Sequence, residues 1–127
     1  MADFVIKIKK DVISDILEFA KETYPKEFFA FLEGKLTKDG VFVKNIAYHP
    51  FNSDESSAET IFHMGTNTQG FVGTVHSHPS GSNNPSNVDL RGFSKEGIIH
   101  LIVSSPFKEN DIKCFGPDGK TLGFIVA

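Results

Sequence analysis

The chain has one cysteine and no tryptophan, and it lacks a long apolar run, a basic excess and any internal repeat. Each absence excludes something. Cys114 cannot form a disulfide within the chain, and nothing argues for an oxidising compartment. An intracellular, cytoplasmic location is expected. The longest continuous apolar stretch, Phe28 to Leu32, is five residues. That is far short of the ~20 residues that span a bilayer, so no membrane partner is expected. The opening Met-Ala-Asp-Phe-Val-Ile-Lys carries no basic-then-apolar-then-small pattern, so no signal peptide is expected. Net charge is −3, from 13 basic and 16 acidic residues, and the only basic cluster, Lys7, Lys9 and Lys10, runs straight into Asp11. Nucleic acid is therefore disfavoured as the main partner.

What is present fits one domain spanning 1–127. A chain of this size buries a real core without staples. Apolar residues make up 39% and charged residues 23%, the balance of a soluble globular domain. Thirteen phenylalanines point to a Phe-rich core.

Residues 4–9 alternate, with Phe4, Ile6 and Ile8 on one side and Lys7 and Lys9 on the other, which is a half-buried strand. Val12, Ile13, Ile16, Leu17 and Ala20 then fall at helical spacing, giving a helix over about 11–24 with Asp11 as N-cap and Pro25 as stop. The run Glu27 to Leu32, ended by Glu33-Gly34, reads as a strand buried on both faces. Lys38-Asp39-Gly40 is a turn and Val41 to Tyr48 a strand. Residues 52–59 read as a polar loop, Thr60 to Met64 as a short strand, and Phe71 to Val75 as a strand leading into His76. A Pro/Gly/Ser/Asn-rich loop over 79–87 precedes a second helix from Ser86 to about Lys95. Ile98 to Val103 is a strand, and Ile112 to Phe115 and Leu122 to Val126 flank Pro117-Asp118-Gly119 as a hairpin. Many strands with two helices imply a curved, mixed or antiparallel sheet with helices against it.

The chemistry concentrates in His76-Ser77-His78-Pro79 and Ser86-Asn87-Val88-Asp89. Histidines at i and i+2 in extended chain project from one face, with Cα atoms roughly 6.5–7 Å apart. Both imidazoles can then converge on one cation. Asp89, in the first turn of the second helix, can be folded back onto the strand end. Two His and one Asp leave a fourth zinc position for water, the pattern of a catalytic site. The bland reading of a lone His-x-His is a pair of solvated or core histidines. Ser86 and Asp89 also fit a capping box at a helix start. His49 and His63 read as structural or surface residues, His100 as a satisfied core residue and Cys114 as a small apolar one.

Taken together these residues resemble the JAMM/MPN+ zinc metallopeptidase family, whose signature is a distant Glu, His-Ser/Thr-His-Pro, and a later Ser-x-x-Asp. Here it is His76, Ser77, His78, Pro79, Ser86 and Asp89. The upstream Pro25-Lys26-Glu27-Phe28-Phe29-Ala30-Phe31-Leu32-Glu33-Gly34 resembles the segment carrying the family's catalytic Glu, with Ala30 where many members have Gly. The likeness covers nearly the whole chain. It implies an α/β (α+β), cytidine-deaminase-like fold: a curved mixed sheet flanked by helices. It implies one zinc held by His76, His78 and Asp89. The residues alone leave Glu22, Glu27 and Glu33 open as the base; the resemblance selects Glu27, acting on a zinc-bound water. Ser86 would stabilise the developing oxyanion, and Ser77, facing the other way, takes a packing or supporting role.

The implied reaction is hydrolysis of the isopeptide bond between the C-terminus of a ubiquitin-like modifier and a substrate lysine. The compact chain looks most like archaeal enzymes that remove such modifiers (desampylase-like). The same residues would also serve a hydrolase releasing an amino acid or short tail from a ubiquitin-like sulfur-carrier protein. A non-catalytic MPN scaffold and a DNA-repair-associated relative fit the chain less well. Scaffolds usually lose motif residues that this chain keeps. The repair-associated relatives normally carry a helical DNA-binding region absent from these residues. Monomer and homodimer both stay open.

Overall fold

The computed structural model describes residues 4–48, 70–95 and 97–127. Among the described residues, eight strands form one mixed sheet. They are β1 (Val5–Ile8), β2 (Phe29–Thr37), β3 (Gly40–Tyr48), β4 (Phe71–His78), β5 (Ile99–Ser104), β6 (Ile112–Phe115), β7 (Thr121–Leu122) and β8 (Ile125–Val126). The sheet order is β7-β6-β5-β4-β2-β3-β1-β8. β4 and β5 run parallel, as do β1 with β3 and β1 with β8; the other pairs are antiparallel. Two α-helices flank it among the described residues: α1 (Lys10–Thr23) and α2 (Asn87–Phe93). The expected class, an α/β curved mixed sheet with helices against it, is the one observed. None of the described helices is long and apolar enough to cross a membrane.

Side-chain alternation divides the sheet into two faces. Phe28, Ala30, Leu32, Val75, Leu101 and Val103 join the main core, into which α1 places Val12, Ile13, Ile16 and Ala20. The opposite face carries Phe29 and Phe31 in one cluster and Phe93, Ile102 and Phe115 in another. His76 stacks beside Phe29 on that second face, so the strand expected to be buried on both sides separates the α1 core from the site.

Several expectations change in detail. The first strand begins at Val5, and Phe4, outside it, is half exposed. α1 starts one residue early, and its N-cap is Lys9 with no side-chain cap, not Asp11. The sheet holds that end instead, since Lys9 N–H bonds to the Val43 carbonyl and Lys10 N–H to that of Ala127. β2 does not stop at Gly34 but runs on to Thr37 through a bulge. A Cβ at Gly34 would run into the Phe42 carbonyl, so this glycine marks close backbone approach rather than a strand end. The terminal segment Leu122 to Val126 is two strands, not one. β7 pairs with β6 at one sheet edge and β8 with β1 at the other. From Leu122 to Ile125 is three residue steps, at most roughly 11 Å, so the sheet must curl until its edges nearly meet. The expectations for 52–59, for Thr60 to Met64, for His49 and for His63 lie outside the described residues.

Candidate metal centre

The site sits where the C-terminal end of β4 meets the start of α2. His76 and His78 share a face of β4, and the His78 Nδ1–H donates to the Ser82 carbonyl at 3.1 Å. That bond leaves the His78 Nε2 lone pair aimed inward. The His76 and His78 Nε2 atoms are 3.1 Å apart. Asp89 completes a triangle: its Oδ1 is 3.3 Å from His76 Nε2 and its Oδ2 is 3.2 Å from His78 Nε2.

The N-terminus of α2 delivers Asp89. Ser86 is the N-cap; its Oγ accepts the Asp89 N–H at 3.1 Å, and its own N–H donates to Asp89 Oδ2 at 2.8 Å. The capping box read from the sequence is present, and it also orients a carboxylate toward the histidines. Ser86 itself is exposed, with its Oγ engaged as an acceptor and its O–H available to donate.

Glu27 lies two residues before β2, in the segment that leads from α1 into that strand. β2 and β4 pair Phe29 with His76, so continuing the register sets Glu27 opposite His78. The connection is tight. Phe28 N–H donates to the fully buried Ser77 Oγ at 2.7 Å, and Ser77 N–H donates to the Phe28 carbonyl at 2.9 Å. Ser77 thus faces away from the histidines, as expected, and fixes the residue next to Glu27. Ligand atoms of Glu27, His76 and His78 all lie within 4.8 Å of one another. Glu22, in α1, and Glu33, at the β2 bulge, are not in this group.

The electrostatics match a cation site. Burial alone pushes the Asp89 carboxyl up, but the His76 and His78 Nε2 atoms, which donate to it when protonated, and the Ser86 N–H hold it well below the usual carboxylate range. The hydrogen bond with Asp89 raises the pKa of His78, against the opposing effect of burial. An inward Nε2 facing a carboxylate needs positive charge between them, either a proton or a metal ion. The geometry suits zinc. Tetrahedral ligands at 2.0–2.1 Å from zinc are separated by about 3.3–3.4 Å. The 3.1 Å between the two Nε2 atoms lies close to that, and each histidine has an Asp89 oxygen nearby, Oδ1 at 3.3 Å from His76 and Oδ2 at 3.2 Å from His78.

Sequence reasoning missed the Ser82 carbonyl that orients His78, because a main-chain group carries no residue-type signal. It read the surrounding phenylalanines only as core. Phe29 stacks near-parallel on His76 with ring centroids 6.4 Å apart, and Phe93 lies 6.4 Å from the same ring. Cys114 is buried, with its thiol pushed up to about 12 by burial, so it is no nucleophile.

With this geometry in view, the comparisons with known proteins are specific. The profile for prokaryotic homologs of the JAB domain matches residues 9–116. This chain belongs to the prokaryotic JAB family. Its JAB domain is 32% identical to a probable metalloprotease of Haloferax volcanii, over 96% of this chain and 80% of that protein. It is 36% identical to a JAB1/MPN domain protein from Archaeoglobus fulgidus of known structure, covering 96% and 99% of the two chains with a TM-score of 0.74. A further solved structure, described as JAMM, a metalloprotease-like zinc site in the proteasome and signalosome, is 32% identical. It covers 97% of this chain and 98% of its own, with a TM-score of 0.72. The JAB domain described here is therefore a JAMM/MPN metalloprotease-like protein in family and in fold.

Proposed function

We propose that this JAB domain is a zinc-dependent metallo-isopeptidase that hydrolyses the bond between the C-terminal glycine of a ubiquitin-like modifier and a substrate lysine. The observation that carries the reading is the convergence of the His76 and His78 Nε2 atoms, 3.1 Å apart, each 3.2–3.3 Å from one oxygen of Asp89, with the Glu27 carboxylate beside the two histidines. His76, His78 and Asp89 would hold the ion. Zinc in such a site supplies a Lewis acid that polarises the scissile carbonyl and lowers the pKa of water to about 7.

The chain's own groups supply the rest. Glu27 approaches from the segment just before β2, where its carboxylate can take the proton of the attacking water and pass it to the departing lysine amine. Its backbone is anchored through Phe28 and Ser77, which keeps the base in register with the histidines. The Ser86 O–H, at the helix start, donates to the oxyanion as the carbonyl becomes tetrahedral; removing one such donor costs about 2.7–4 kcal/mol of barrier. The relatives support the metalloprotease part of this reading: one is called a probable metalloprotease, and another is described by a metalloprotease-like zinc site.

The test is cleavage of a lysine-linked conjugate of a ubiquitin-like protein by zinc-loaded protein, with Glu27→Gln assayed beside it. The parent should cleave, and the variant should bind zinc yet fail to cleave. Release of only a terminal residue or short tail from a sulfur-carrier protein would move the assignment to that hydrolase. Stoichiometric partner binding with neither metal nor turnover would make the domain a scaffold.

A further inference from the structure

Behind the donor cluster runs a buried polar chain that the mechanism does not use. His100 lies on β5, has no exposed surface, and is paired in register with Thr74 on β4. Its Nε2 is 3.1 Å from the Phe93 carbonyl and its Nδ1 is 2.7 Å from Thr74 Oγ1. A carbonyl only accepts, so Nε2 carries the proton and Nδ1 accepts the Thr74 hydroxyl. The Phe93 ring stacks on the same imidazole, centroids 4.4 Å apart and planes within 7°.

The two ends of this chain reach the two halves of the metal centre. Thr74 precedes His76 by two residues, on the same face of β4. Phe93 closes α2 and follows Asp89 by four residues, one turn along the same helix face. Phe93 is also the one buried side chain of α2. A helix of seven residues has no stability of its own, so its seat on the sheet depends on that anchor.

We propose that His100 is a positioning residue for the metal centre. Its hydrogen bonds to the Thr74 hydroxyl and the Phe93 carbonyl, with its stack on Phe93, fix α2 against β4, and so hold the Asp89 carboxylate at His76 and His78. This rests on the zinc reading of the preceding section. Groups bonded directly to metal ligands typically change affinity by about 10–100-fold when removed; His100 acts one contact further out, through Thr74 and Phe93, so the lower end of that range is expected.

The experiment measures zinc affinity of the full chain by competition with a chromophoric chelator, alongside thermal melting of the metal-free protein. His100→Leu keeps volume and loses the hydrogen bonds to Thr74 and Phe93; its zinc affinity should fall by about 10-fold, the lower end of the range for direct partners of metal ligands. His100→Gln, whose amide can still donate to the Phe93 carbonyl, should recover part of the loss. Ile16→Ala, in the α1 core on the other sheet face, should lower the melting temperature and leave zinc affinity unchanged. The proposal falls if His100→Leu binds zinc within twofold of the parent, or if Ile16→Ala weakens zinc equally at matched loss of stability. Should His100→Leu not fold, Thr74→Val removes only the hydroxyl; unchanged zinc affinity in that variant overturns the proposal. A parent that binds no zinc refutes the metal reading and this proposal with it. Imidazole nitrogen NMR separates the two failures. The Nε2–H tautomer at His100 is required here whatever the metal result, and the Nδ1–H tautomer would refute the positioning geometry alone.

Discussion

Replacing Ser77 with alanine isolates the contact that places the proposed base. Ser77 Oγ accepts the Phe28 N–H at 2.7 Å in a fully buried position. Removing it leaves a buried backbone donor without that partner, at a cost of about 1–3 kcal/mol. For a domain of this size each kcal/mol moves the melting temperature by roughly 4 °C, so the shift should be about 4–12 °C. The return bond from Ser77 N–H to the Phe28 carbonyl stays, so the strand should still pair. Turnover should suffer more than stability, because Glu27 is adjacent to Phe28 and a displacement of about 1 Å can cost on the order of 10²-fold. Ser77→Thr keeps the hydroxyl and should preserve the base position. The assays are thermal melting of the metal-free protein and conjugate cleavage by the zinc-loaded protein. A Ser77→Ala variant that melts and cleaves like the parent would refute the reasoning.

Three further outcomes follow. Asp89→Asn replaces an anionic donor with a neutral one and should weaken zinc binding, read by chelator competition; unchanged affinity would remove Asp89 from the site. Ser86→Gly should cost only a few tenths of a kcal/mol as a helix cap, yet lower kcat by about 10²–10³-fold if its hydroxyl serves the oxyanion; full activity would assign Ser86 to capping alone. His100 titrates near 4 rather than 6.5 because burial disfavours its charged form. Between those values the unfolded chain binds the extra proton, so stability from neutral His100 is intact above pH 6.5 and is lost as pH falls toward 4, by about 3 kcal/mol in full. Denaturant titrations of the parent and His100→Gln across that range should show this loss in the parent only.

The parts of the site that were legible in the sequence are those written in local spacing. His76 and His78 two apart in a strand, and Ser86 with Asp89 three apart at a helix start, each specify a face or a cap by themselves. Glu27 was different. Its approach depends on β2–β4 register, which pairs residues almost fifty positions apart, so only family resemblance distinguished it from Glu22 and Glu33. The β7–β8 division was hidden for a related reason. Two-residue strands carry no periodicity, and their pairing is set by closure of the curled sheet. Lys9 displaced Asp11 as N-cap because backbone groups of Val43 and Ala127 already hold that end of the helix. Gly34 read as a terminator because glycine signals both a strand end and a close backbone approach, and only the Phe42 carbonyl beside it decides between them.

The most direct test of the central claim is a crystal structure of the zinc-loaded protein with anomalous data collected at the zinc edge. One peak should lie between the Nε2 atoms of His76 and His78 and the Asp89 carboxylate, with Glu27 nearby but not bound to the ion. A peak coordinated by Glu27 in place of Asp89, or no peak at these histidines, would contradict the account.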